Sequence, residues 1–285
     1  MLGTALQRFF FYTEVLSLDI AIGVLGSGAF AKTVLHAPMK GTWWFLLCAA
    51  VWVVYTADHL MDARKVGKVA VNVRHKFHVE HFRIIFTTMC IVSLLCAILA
   101  WVYLREIIFM GGIVVGIFAL FHLILAYWGK VRFGKEISVA VIYAMGVWFA
   151  PFLNHRGAID TLPILFFSFF LLAALLNLFM NSVIEHALDH KENLIFGVRP
   201  RFVQNIRKGV IAISFLSVLF LCALAIYFFF QTSPIDAACA FYVLLLCATP
   251  GAILYFDRFF LVRQRYRIAA EWLFAFGLLL LFFNA

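Results

Sequence analysis

The chain has 285 residues, of which 65% are hydrophobic, 18% aromatic and only 13% charged, with a mean hydropathy of +1.01. A soluble domain carries about 25% charged residues, so this composition excludes a soluble protein and requires one that lives in lipid. The formal net charge of +9 is expected to meet membrane headgroups, and no nucleic-acid partner is implied.

A helical crossing of the bilayer core needs about 20 apolar residues, and backbone polar groups in lipid are satisfied only inside a helix or a closed barrel. The apolar runs here are long and do not alternate, so the fold class is an all-α polytopic membrane protein. The first fifteen residues, "MLGTALQRFFFYTEV", lack the ordered regions of a cleaved signal peptide, so the first helix is expected to remain. Crossings are expected near 15–34, 42–62, 84–104, 107–128, 137–154, 162–185, 209–230, 236–256 and 267–284. That gives nine transmembrane helices around a central cavity, in one domain spanning 1–285, because no intervening segment is long enough for a separate folded unit.

Asp19 falls inside the first of these helices, where an acid is expected to face the bundle interior or pair with another polar group. The second helix ends in "VVYTADHLMDARK", with Asp58 and Asp62 one turn apart. In the loop beyond it, "VRHKFHVEHF" spaces His75, His78 and His81 by three, which fits an amphipathic helix lying on the headgroups. His122, alone in an apolar helix, reads as a hydrogen-bonded core residue. The sixth helix carries "LLNLFMNSVIEHALDHKEN", in which Asn177, Asn181, Glu185 and Asp189 recur every four residues and so form one polar stripe. The six cysteines lie in apolar runs without a C-x-x-C pair and read as small buried hydrophobes.

All of the 23 Lys and Arg residues except Lys32, Lys40, Arg105 and Arg156 fall on the side of the N-terminus if nine helices cross. By the positive-inside rule that side is cytoplasmic and the C-terminus is outside; a bacterial inner membrane is the expected location. Both acidic pairs end even-numbered helices, hence on this side. The same interval separates Asp58 from Glu185 and Asp62 from Asp189, and a cation follows two residues later each time, Arg64 and Lys191. A parallel repeat of four helices plus four, with the ninth appended, would set the two pairs facing each other across the cavity.

Facing carboxylates repel unless they share a cation or a proton, and oxygen donors without thiolates suit Mg²⁺, which takes its remaining ligands from water and substrate phosphate. Asp58, Asp62, Glu185 and Asp189 are therefore the candidate metal-holding and catalytic residues. Arg64, Lys65, Lys68, Arg74 and Lys191 are the candidate phosphate-binding cations, and Tyr55, Asn177 and Asn181 could line the cavity. The expected ligand is a polyprenyl diphosphate, its tail among apolar helices.

On these two motifs the chain resembles the UbiA-type intramembrane prenyltransferase superfamily, whose nine helices carry N-D-x-x-D-x-x-x-D after helix 2 and D-x-x-x-D after helix 6. Asp58 and Asp62 match the last two acids of the first motif, and Glu185 and Asp189 match the second. Val54 and Tyr55 stand where that family has Asn and Asp, so two oxygen ligands are absent. The resemblance implies Mg²⁺-dependent transfer of a prenyl group to a small aromatic or lipophilic acceptor. Two other readings stay open: a histidine-bound metal oxygenase, using His75, His78, His81 or His186-x-x-x-His190, and a protein that binds such lipids as a scaffold or transporter without catalysis.

Overall fold

The computed structural model describes residues 5–67, 72–128, 134–191, 200–262 and 265–284. Among them there is no strand, and the helices follow in the order α1 (Ala5–Val15), α2 (Leu18–Val34), α3 (Gly41–Val66), α4 (Val73–Glu80), α5 (Phe82–Tyr103), α6 (Glu106–Tyr127), α7 (Lys135–Asn154), α8 (Thr161–Lys191), α9 (Pro200–Phe230), α10 (Pro234–Tyr255), α11 (Asp257–Phe260) and α12 (Arg265–Ala275). A 3-10 segment, Phe276–Asn284, continues α12. Among the described residues eight spans are long and apolar enough to cross a bilayer, and α1 with α2, bent by 78°, brings the number to nine if the pair is one span. The bend falls at Ser17, whose φ of 54° leaves the helical region, and the Trp52 indole donates to the Leu16 carbonyl that the break exposes, at 2.9 Å.

The chain is an integral membrane protein by this pattern of apolar helices. Trp101, Phe229 and Phe230 are more than two-thirds exposed, a surface that would be unstable in water and is ordinary against acyl chains. The cysteines divide between core and surface: Cys239 and Cys247 are buried, while Cys90 and Cys222 are exposed. Those last two are a correction to the expectation of burial, because helices α5 and α9 turn most of their circumference to lipid.

Helix packing recurs with a shift of four crossings. The pair α2–α3 corresponds to α7–α8, α3–α5 to α8–α9, α3–α6 to α8–α10, α5–α6 to α9–α10, and α6–α7 to α10–α12. In each half the third crossing, α5 or α9, lies on the outside of the ring. Polar contacts gather helix ends on two opposite faces. Lys65 at the end of α3 reaches the Ala126 carbonyl at the end of α6, and Glu136 at the start of α7 accepts from Ser182 late in α8. On the other face Arg105, Asn154 and the His155–Leu35 contact sit together.

The second of these faces is filled by aromatic rings. Phe30 packs against Trp148, Phe166 and Tyr242 at centroid distances of 5.5, 5.7 and 5.2 Å, within a cluster that takes in Leu35, Trp43 and Phe228. Offset and edge-on ring contacts of this kind close the interior, where the Tyr242 hydroxyl is met and the Trp148 indole N–H is buried without a partner.

The backbones of α2 and the last span touch directly. A Cβ on Gly26 would run into the Phe274 carbonyl and the Ala275 backbone, and one on Gly277 into the Gly26 carbonyl; glycine alone permits this approach. Tyr242 donates to the Phe274 carbonyl at 2.8 Å, meeting an acceptor that the change from α-helix to 3-10 geometry would leave open. Replacing Gly26 by Leu should lower stability by about 1–3 kcal/mol, the usual cost of overpacking, read as thermal unfolding in detergent. Gly112→Ala and Gly116→Ala, with no atom near the added carbon, should not destabilise.

Candidate functional site

Arg267 lies in the first turn of α12 and is 5% exposed. Its Nη1 donates to Glu14 Oε1 at 2.8 Å and its Nη2 to Glu185 Oε1 at 2.6 Å. Its Nε donates to the Tyr266 hydroxyl at 3.0 Å, and that hydroxyl donates in turn to Glu185 Oε1 at 3.1 Å. Three helices distant in sequence, α1, α8 and α12, are thus tied by one guanidinium. A charge withdrawn from water is tolerated only with such pairing.

A second arginine approaches from α4. Asn72 caps that helix by accepting from the Arg74 amide at 3.0 Å, and Arg74 Nη1 donates to His59 Nε2 on α3 at 2.9 Å. Because an arginine can only donate, His59 is neutral and carries its proton on Nδ1. That Nδ1 and Arg74 Nε are both shut away from solvent without a partner. Burial and the Arg267 charge pull Arg74 below its ordinary value, opposed by Glu185, Glu14 and Asp19. Asp19, at 4% exposure, does face the interior, in the first turn of α2.

Beside this cluster lies a small cavity of about 30 Å³ lined by Gly23, Tyr55, Tyr143, Asn177 and Glu271, among others, room for one or two water molecules. Tyr143 and Ser27 hydroxyls are 2.9 Å apart, and Glu271 accepts from Asn177. The Oδ1 atoms of Asn177 and Asn181 are buried without partners, which marks the inward side of the α8 stripe.

Of the residues expected to form the site, Tyr55 and Asn177 meet at the cavity from α3 and α8, while Arg74 and Glu185 belong to the adjoining charged cluster. Asp58 and Asp62 are half-buried, and the charges acting on Asp58 are Lys135, His122, His75 and Arg74. Glu185 is instead turned to Arg267. Among the described residues no three His, Cys, Asp or Glu side chains gather as a metal-binding group, and the Asp189 and Lys191 side chains and Lys68 lie outside the described residues. Arg64 and Lys65 are exposed. Lys65 donates to the Ala126 carbonyl at 3.1 Å and rests 5.2 Å from the Tyr127 ring centroid, so it serves the α3–α6 contact.

The loop histidines need a correction. His75 and His78 are buried rather than facing headgroups, because α4 packs on α1 and α3. His78 Nδ1 donates to the Arg74 carbonyl at 2.9 Å and its ring stands 5.4 Å from that of His59; His81 stacks on Phe77 at 4.4 Å. His122 is hydrogen-bonded as expected, 2.8 Å from the Ser138 hydroxyl. Sequence reading missed Glu14, Arg267 and Glu271 altogether. The available signal was Arg267-x-x-x-Glu271, an opposed pair at helical spacing entering an apolar run.

Comparison with known proteins finds no matching family model, no matching curated protein and no matching solved structure.

Arg267→Ala should cost about 3–5 kcal/mol, the penalty for leaving buried acids uncompensated, whereas Arg267→Ala combined with Glu185→Gln should cost less than the sum of the two; unfolding in detergent measures both. Burial holds the His78 imidazole below its ordinary range. Below about pH 6.5 the unfolded chain then binds a proton that the folded chain does not. Stability should consequently fall on acidification from pH 7 to pH 5, and His78→Gln should flatten that slope.

Proposed function

We propose that this chain is an intramembrane prenyltransferase, which binds a polyprenyl diphosphate together with Mg²⁺ and transfers the prenyl group to a hydrophobic acceptor. The observation that carries the reading is the meeting of Tyr55 and Asn177, from helices four crossings apart, in one cavity beside two inward arginines. Arginine in the lipid interior is costly and marks a ligand path when it is retained. Arg74 and Arg267 present the donors that a diphosphate requires.

Charge balance argues for a divalent cation entering with the diphosphate. Glu14, Asp19, Glu185 and Glu271 all interact with Arg74 and Arg267, so four acids face two guanidiniums. A bare diphosphate would be repelled from such a cluster. Carboxylate oxygens suit Mg²⁺ chemically, although Glu185 Oε1 is committed to Arg267 and Tyr266. Asp58, Asp62 and Asp189 are the acids that would hold the metal, which would supply Lewis-acid stabilisation of the leaving diphosphate. Glu185 becomes available as phosphate takes its place on Arg267.

In the transfer, the bond between prenyl C1 and oxygen breaks and its electron pair departs with the diphosphate. Arg74 and Arg267 stabilise that growing charge with fixed donors in a medium of low dielectric. The packed aromatic half of the bundle keeps water from the allylic cation. The site lies on the face richest in Lys and Arg, which is cytoplasmic by the positive-inside rule, in a bacterial inner membrane with the C-terminus outside.

Binding of geranylgeranyl diphosphate to the protein in nanodiscs tests the reading. Affinity should rise with Mg²⁺ and fall by about tenfold or more in Asp62→Asn and in Arg74→Gln, the worth of a charged hydrogen bond, while Lys65→Gln should bind as wild type. Binding indifferent to chelator and to both substitutions would reject it. Binding without diphosphate release across a panel of acceptors would identify a non-catalytic lipid-binding protein.

A further inference from the structure

Resting on the prenyl-transfer reading, we infer that the cavity beneath Glu271 seats the reactive hydroxyl of the acceptor and that Glu271 takes up its proton. The lining sets the Asn177 amide and the Glu271 carboxylate beside the hydroxyls of Tyr55 and Tyr143. Asn177, 8% exposed, gives its amide N–H to Glu271 and leaves Oδ1 buried and unmet. The Ser27 hydroxyl donates to the Gly23 carbonyl at 3.2 Å, so its 2.9 Å contact with Tyr143 uses the Tyr143 proton. Glu271, when ionised, only accepts, and among the described residues it makes no ion pair. An amide oxygen without a donor and a carboxylate, both on residues that line one small space, call for a ligand that brings O–H.

Size and position agree with this. About 30 Å³ admits a hydroxyl group rather than a ring, so the body of the acceptor lies outside the cavity with its O–H inserted. Glu271 follows Arg267 by four residues and shares its helix face, which sets the proton acceptor one turn from the guanidinium assigned to the leaving group.

The step balances within the two substrates. The acceptor's O–H bond breaks and its proton passes to the Glu271 carboxylate. The oxygen electron pair forms the new bond to prenyl C1, as the C1–O bond breaks and its pair leaves on the diphosphate. No oxidant or further reactant is needed.

The test compares a 4-alkylphenol with its methyl ether on the protein in nanodiscs. Without any diphosphate present, the phenol should bind at least about tenfold more tightly than the ether, the value of one buried hydrogen bond to a charged group, and Asn177→Ala should erase the difference. Glu271→Gln should melt as wild type and, with one acid fewer facing the guanidiniums, bind geranylgeranyl diphosphate at least as tightly as wild type. Its kcat should drop about a hundredfold, the lower range for a lost general base, with KM for the phenol within about twofold. Equal binding of ether and phenol, or wild-type kcat in Glu271→Gln, overturns the inference. Absence of diphosphate binding would sink the transferase reading instead, and the phenol–ether comparison would still decide what the cavity holds.

Discussion

Charge cannot be left alone in a bilayer, and Arg267 is the residue around which this bundle meets that constraint. Its two carboxylate partners come from α1 and α8, and its own helix is α12. An exposed ion pair contributes little; a buried one is weak evidence for stability in itself but expensive to break, because the abandoned charge has no water. The same logic extends to Arg74, whose guanidinium meets His59, and through that contact α4 is held against α3. The charged cluster thus orders five helices that apolar packing alone would leave free to slide.

The two halves of the interior are built on different terms. Toward one face, ring stacks around Phe30 and Trp148 fill the interior with mostly apolar surface. Toward the other, His59, Arg74, Asn177 and Asn181 each keep a buried polar atom without a partner. A native interior seldom keeps unmet polar atoms without a use for them, and four of them belong to residues of the charged cluster and of the α8 stripe.

Much of the fold was legible because it follows from local pattern. Apolar length fixed the spans, with the first requiring α1 and α2 together, and the four-residue stripe on α8 correctly marked its inward side at Asn177. The step-of-four recurrence in packing agrees with the offset between the two acidic pairs. What sequence could not supply was partnership. Arg267 looked like one more loop cation, since its acid Glu14 lies 253 positions away and nothing near either residue signals the other. His75 and His78 were misread for a related reason: spacing defines a helix face but not what covers it, and α1 returns to cover α4. Lys65 showed the converse, a cation beside the acidic motif that serves a helix contact on the outside.

The tie between Glu14 and Arg267 also bears on biogenesis. Helices enter the membrane in order of synthesis, and the acid on α1 and the acid on α8 arrive before the guanidinium that neutralises them. Until α12 is inserted, the nascent bundle holds carboxylates that must stay hydrated or protonated at the interface. Closure of the centre thereby waits for α12, and a chain stalled before that helix would present an open, negatively charged vestibule to membrane quality control.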